Sequence, residues 1–204
     1  MSTIVTSKDK ASRRAGVSLW GNPKDAVHKK KYRPGQHGGQ GMHRSKQSEF
    51  AKQFKAQKNA RAYYCIRLKQ LKNIYKKTSS LSGNKVNNFI GMLESLLPVF
   101  LVRAKIASTI YFARQLVSHG HVLVNNKRVD INYYFLKPND EVTIKDKMKS
   151  SSVVTESMKE LRIDIPEYIS VDQETFKSVF LHRPSHDEVP YAMDMNINLV
   201  MESM

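Results

Sequence analysis

The chain has 204 residues, with 34 Lys and Arg against 18 Asp and Glu and a formal net charge of +16 at pH 7. A lone cysteine, Cys65, excludes a disulfide framework and a cysteine-based zinc site, and no run of about 18 apolar residues is present to span a bilayer. Nor does an apolar signal core follow Met1. The charge is polarised, with +17 on residues 1–77, +5 on residues 78–149 and −6 on residues 150–204. A gradient this steep points to one end meeting a polyanion while the other faces protein or solvent.

Residues 1–47 read as a basic, extended segment. Arg13, Arg14, Lys29, Lys30, Lys31, Arg33, His37, Arg44 and Lys46 offer charge and donors to phosphates. Large apolar residues are too few here for a core, so the segment is expected to order on RNA. His28, His37 and His43 lack thiolate partners at metal-ligand spacing. No metal and no cofactor is expected.

Residues 48–97 read as a helical domain. Ser48 can cap a helix running to residue 77, on which Phe50, Phe54, Tyr64, Leu68, Leu71 and Tyr75 recur at mostly helical spacings. Its cations lack the interspersed acids that a solvated helix uses for i,i+4 pairs, so Lys58, Arg61 and Tyr64 are placed on an RNA surface. Cys65 reads as a packed small hydrophobe. Residues 78–88 are a polar linker, after which Asn88 is expected to cap a helix over residues 89–97 that Pro98 ends.

Residues 98–149 read as a separate module. A helical stretch through Arg103 leads to a second helix over residues 109–118, capped by Ser108 and stopped by Gly120. At 100° per residue, Ile110, Ala113, Leu116 and Val117 share one side of that helix, with Phe112 at the margin. Tyr111, Arg114, Gln115 and Ser118 share the other, which offers the donors and stacking surface that RNA accepts. Ser108, Thr109 and Arg103 join this set. His119 and His121 follow at the helix-to-strand corner, where a histidine is as often a structural hydrogen-bonder as an RNA ligand. Strands are expected over residues 121–125, 128–131 and 141–145, with an Asn125-Asn126 turn that tolerates positive φ. Asn125, Lys127 and Arg128 extend the candidate contacts.

Residues 150–204 form an acidic return, too short and too broken by proline to be an independent core. A short helix is expected over 155–162, extended pieces over 166–200, and a final edge strand on the alternation of Ile197, Leu199 and Met201. The return is expected to pack on residues 48–97.

The stretch from Ala113 to Val129 resembles the RNA-binding module of the small-subunit ribosomal protein four family, which also occurs in pseudouridine synthases and a heat-shock protein. The likeness extends over residues 10–200 in the family's order. Residues 11–21 and 32–38 resemble its N-terminal segment, particularly in alphaproteobacterial and mitochondrial forms, residues 57–58 and 63–64 its first long helix, and residues 88–95 the approach to the module; residues 166–168, 171–172 and 181–184 resemble its C-terminal return. Departures fall at Leu96-Leu97-Pro98, where the family has Arg-Leu-Asp, at Cys65 and Lys105, which stand where it carries glycine, and at the Met201–Met204 terminus.

The resemblance implies an α+β protein: a composite helical domain from the N- and C-terminal parts, and a small helix-helix-strand RNA-binding module with a short β-sheet. It implies a non-enzymatic constituent of the small ribosomal subunit that binds the 5′-domain junction of the rRNA and acts early in assembly. Contact with small-subunit ribosomal protein five follows, as does a place at the mRNA entrance and the decoding-accuracy interface. No membrane and no small-molecule substrate is implied. The competing readings are an RNA-modifying enzyme of the pseudouridine synthase type and a free RNA chaperone. Because the likeness begins near residue 10, no appreciable presequence is expected. The altered residues 96–98 and terminus point to a mitochondrial ribosome, with a bacterial cytoplasm as the alternative.

Overall fold

The computed structural model describes residues 7–36, 38, 48–159, 164–172, 175–193 and 195–204. The chain divides into two compact units, one formed by Met1–Lys76 with Tyr191–Met204 and the other by Lys77–Pro190.

In the first unit, α1 (Lys8–Ala15) and α2 (Ala26–Lys29) lie in the segment expected to be extended. The segment folds because it borrows a core: Ala15, Leu19 and Val27 are buried, and the Trp20 indole donates to the Tyr63 carbonyl on α3 (Glu49–Tyr63) at 3.3 Å. Asp25 caps α2 and also accepts a hydrogen bond from the Ser18 hydroxyl at 3.0 Å. Ser48 caps α3 as expected, its hydroxyl accepting from the Ala51 N–H. The single helix expected over 48–77 is two helices, α3 and α4 (Leu68–Ser79), because the chain turns left-handed at Cys65, with φ +51°. There the Cys65 N–H reaches the Ala62 carbonyl and the Ile66 N–H reaches the Arg61 carbonyl, at 3.2 and 3.1 Å, a Schellman closure.

The expected final edge strand is instead α10 (Ile197–Glu202), lying on α3. Ile197 and Val200, three residues apart, are its buried pair, and the Asn196 side chain caps it by accepting from the Leu199 N–H. Without a strand to pair with, a short apolar run satisfies its backbone internally. The buried Gln57 amide donates to the Ser203 carbonyl at 3.2 Å, tying α3 to the residue after α10.

The second unit begins its core with α5 (Lys85–Glu94), which starts earlier than expected because Asn84, not Asn88, is the cap. Pro98 opens α6 (Leu97–Arg103) rather than closing α5; proline fits a first helical turn, where its missing N–H has no helical partner to lose. Next come α7 (Ile110–Ser118), β1 (Val122–Val124), β2 (Lys127–Val129) and β3 (Asp140–Ile144). Asn125 and Asn126 take φ of +48° and +62°, as the tight hairpin turn requires. After α8 (Asp146–Lys149) and α9 (Ser152–Lys159), β4 (Ile169–Asp172) and β5 (Lys177–Phe180) complete a sheet of order β2-β1-β3-β5-β4, antiparallel throughout. Residues 160–162 of the helix expected over 155–162 lie outside the described residues.

The acidic return therefore divides. Residues 191–204 join α3, whereas β4 and β5 extend the module's own sheet through β3. Residues 183 and 184 press on α5, where a Cβ at Gly91 would stand 3.0 Å from the Arg183 Cβ and 3.3 Å from the Pro184 carbonyl oxygen. The boundary at residue 97 or 98 read from the sequence is displaced to the last turn of α4. The reason is that α5 shares its core with α6 and the sheet.

Cys65 and Lys105, two of the positions where the resemblance leads one to expect glycine, both hold left-handed backbone, with φ of +51° and +60°. A side chain there costs roughly 1–2 kcal/mol, partly offset in any Gly variant by about 0.5–1 kcal/mol of chain entropy. Lys105→Gly is accordingly expected to raise the thermal midpoint by about 1–3 °C for a chain of this size. A lower midpoint would mean that the Lys105 side chain stabilises the fold by more than its backbone strain.

Candidate nucleic-acid interface

Helix α7 is oriented by its apolar stripe. Ile110, Ala113, Leu116 and Val117 are buried, the side read from the sequence. The cap is Thr109, whose hydroxyl accepts from the Phe112 N–H at 3.2 Å; Ser108 is exposed and does not cap. At the other end the Gly120 N–H reaches the Val117 carbonyl and the His121 N–H reaches the Leu116 carbonyl, at 2.8 and 3.0 Å. Gly120 takes φ +67°, and a Cβ there would run into the Arg128 guanidinium. The corner thus has a fixed shape: His119 follows the helix as its C-cap, His121 directly precedes the strand, and Arg128 lies over the glycine between them.

The two imidazoles stand 5.9 Å apart. Their neighbours include cations that sequence reasoning missed. With Val122 opposite Ile144, Lys145 falls opposite His121, and its N–H donates to the His121 carbonyl at 2.9 Å. The register of β1 on β3 was the signal that would have found it. Burial, then the neighbouring His119, Lys145, Lys147 and Arg128, hold the His121 imidazole below its ordinary 6.5. Of the nearby carboxylates, Asp146 is engaged by Lys149 at 2.7 Å and Asp130 stands 3.9 Å from Arg128. The corner is a compact cationic surface suited to an anion.

Along α7, Gln115 is exposed, while Tyr111, Arg114 and Ser118 are half-buried on the same side. Ser118 is partly committed within the fold, since the Asn132 side-chain amide donates to its hydroxyl. Lys127 is exposed beside this surface. Asn125 is spent internally: its amide donates to Asp140 at 2.8 Å and its carbonyl accepts from the Glu141 N–H at 2.9 Å.

Two candidates are corrected. Arg103 is 3 % exposed, and its guanidinium is bound to the fully buried Glu94, Nε to Oε2 at 3.0 Å and Nη2 to Oε1 at 3.1 Å. Tyr64 is 1 % exposed, and its hydroxyl meets that of Tyr191 at 2.6 Å. Both belong to cores, and neither faces a ligand.

In the first unit, Arg14, Lys29, Lys30, Lys31 and Arg33 are exposed. Arg13 is partly engaged, donating to the Tyr32 and Arg33 carbonyls at 3.2 and 3.3 Å and lying over the Tyr32 ring. Lys58 is exposed and Arg61 half-buried. His37, Arg44 and Lys46 lie outside the described residues. Among the described residues, no group of three His, Cys, Asp or Glu side chains is placed to hold a metal ion, and no helix is long and apolar enough to cross a membrane.

Comparison with known proteins places this geometry. Residues 5–94 match the family described as Ribosomal protein S4/S9 N-terminal domain, and residues 96–142 match the S4 domain. The chain is 43 % identical over 202 residues to small ribosomal subunit protein uS4 of a Wolbachia from Drosophila simulans, covering 99 % of this chain and 98 % of the relative. It is 43 % identical over 199 residues to the protein of the same name from Ehrlichia chaffeensis, covering 98 % of each, and 43 % identical over 198 residues to that of Ehrlichia canis, covering 97 % of each.

An NMR titration of the His121 ring tests the electrostatics of the corner. Its midpoint is expected below 6.5, and inorganic phosphate is expected to move it upward. Because the folded value lies below the unfolded one, the native state binds this proton less readily, so the group's contribution to stability falls as pH drops through 6.5. A midpoint at or above 6.5 would mean that the cations are not gathered there.

Proposed function

The chain belongs to the family of small ribosomal subunit protein uS4, a structural and non-enzymatic ribosomal family, and from that premise we propose that it binds the small-subunit rRNA directly. The single observation that carries the reading is the corner where His119, His121, Arg128, Lys145 and Lys147 converge beside the Arg114 and Gln115 side of α7. Cations at a rigid turn can grip a bent phosphate path, while the adjoining Gln115 amide can meet sugars and base edges. Exposed Arg14, Lys29, Lys30, Lys31 and Arg33 supply sequence-independent attraction from the other unit.

Family membership supports the finer reading: a 5′-domain junction as the RNA target, a role early in assembly, small-subunit ribosomal protein five as a neighbour, and a place at the mRNA entrance and the decoding-accuracy interface. The relatives named are bacterial, which supports a bacterial small subunit. The mitochondrial assignment has no support among them and is dropped. A match over 98 % of a relative's length also leaves the pseudouridine synthase and free-chaperone readings without support.

The test is binding of the full chain to a 5′-domain rRNA transcript across salt concentrations, with co-sedimentation of the chain and small subunits in high-salt gradients. Replacing Lys127 and Arg128 by Ala is expected to lower the log–log salt slope by about two, taking about 0.9 per phosphate contact from the duplex DNA case. Thermal unfolding should hardly move, since both side chains are exposed. An unchanged slope would show that this surface meets no phosphate.

A further inference from the structure

The N-terminal half of α3 leaves two aromatic rings in water. Phe50 is 74 % exposed and Phe54 43 % exposed, with ring centroids 5.9 Å apart and planes within 11° of parallel. An exposed phenylalanine forgoes most of the gain from burial, and two in one stack mark a contact surface more than chance scatter does. The same side of the helix carries Lys58, its Nζ 4.1 Å from the Phe54 ring centroid. It also carries Arg61, whose Nε is buried with no hydrogen-bond partner among the described residues. At 100° per residue the four positions fall within about 80° of arc. The one carboxylate of α3, Glu49, is held by Lys52 at 2.6 Å and does not neutralise this face.

That combination selects the partner's chemistry. An apolar protein surface would find lysine at the middle of its contact, a residue depleted from interface cores. Unpaired nucleobases stack on aromatic rings, while their phosphates take adjacent cations. We infer that Phe50 and Phe54 are a stacking platform for unpaired rRNA bases, with Lys58 and Arg61 holding the adjoining phosphates. This rests on the rRNA-binding reading above and adds a second, chemically distinct site on the other unit.

The experiment uses the full chain and the 5′-domain rRNA transcript, comparing wild type, a Phe50→Leu/Phe54→Leu pair and a Phe50→Tyr/Phe54→Tyr pair. Leucine keeps apolar bulk without a π-face, so the Leu pair should lose on the order of ten- to a hundredfold in affinity. Its salt slope should match wild type, because stacking releases no counterions. Tyrosine restores the π-face and should rescue binding to within about threefold of wild type. Wild-type affinity in the Leu pair overturns the inference, as does equal loss in both pairs. It is also overturned if the Leu pair binds the transcript normally yet fails to enter small subunits, since the occupant would then be a protein. Failure of the wild-type chain to bind the transcript would instead sink the underlying rRNA reading.

Discussion

A carboxylate removed from water is tolerated only where charge and hydrogen bonds replace its hydration, and Glu94 is fully buried. Arg103 reaches it with Nε and Nη2, and the Tyr168 hydroxyl donates to it at 2.9 Å. The remaining Arg103 nitrogen, Nη1, donates to the Pro190 carbonyl at 3.0 Å. One buried charge pair therefore joins the end of α5, the end of α6, the approach to β4 and the last residue of the second unit. Glu94, Arg103 and Tyr168 are all buried, so these three have no water as an alternative partner. This is why α5 and the part of the return up to Pro190 share a unit with the module, and why the orientation of α6, on which α7 packs, is fixed.

From that frame the cationic corner inherits its rigidity. Helix α7 lies against α6, its left-handed end at Gly120 turns the chain directly into β1, and β3 brings Lys145 alongside. Three acids of the sheet and the return are meanwhile engaged within the fold. Glu141 meets Lys177 at 2.8 Å, Asp172 accepts from Thr175 at 2.6 Å, and hydrogen bonds from Ser185 and His182 hold the Glu188 carboxyl below its usual range. These carboxylates tie strands and turns together.

What the sequence made legible follows the range of the interactions concerned. The buried side of α7, the Asn125-Asn126 turn and the Gly120 stop depend on neighbours within a turn or a hairpin, and they were read correctly. The fold class was legible too, because whole-chain resemblance carries topology that periodicity does not. Tyr64 and Arg103 were misassigned because a residue's type does not reveal a partner 127 positions away, as for Tyr191, or that a nearby glutamate is buried with it. Pairing of β5 with β3 is likewise nonlocal. Helix α10 was missed because Ile197, Leu199 and Met201 fit a strand's period as well as a short helix, and only α3 decides between them. Folding of residues 8–30 escaped notice because its core is supplied by α3 rather than by the segment itself.

The central claim is that the Glu94–Arg103 pair holds the second unit together, and residue-resolved amide exchange on Glu94→Gln tests it most directly. Removing one partner of a buried pair leaves the other uncompensated, at a cost of about 3–5 kcal/mol. Protection is expected to fall by that amount across α5, α6, α7 and the five-stranded sheet, while amides of α3 and α10 keep theirs. Protection within about 1 kcal/mol of wild type throughout the sheet, against that expected loss for a broken buried pair, would contradict the account.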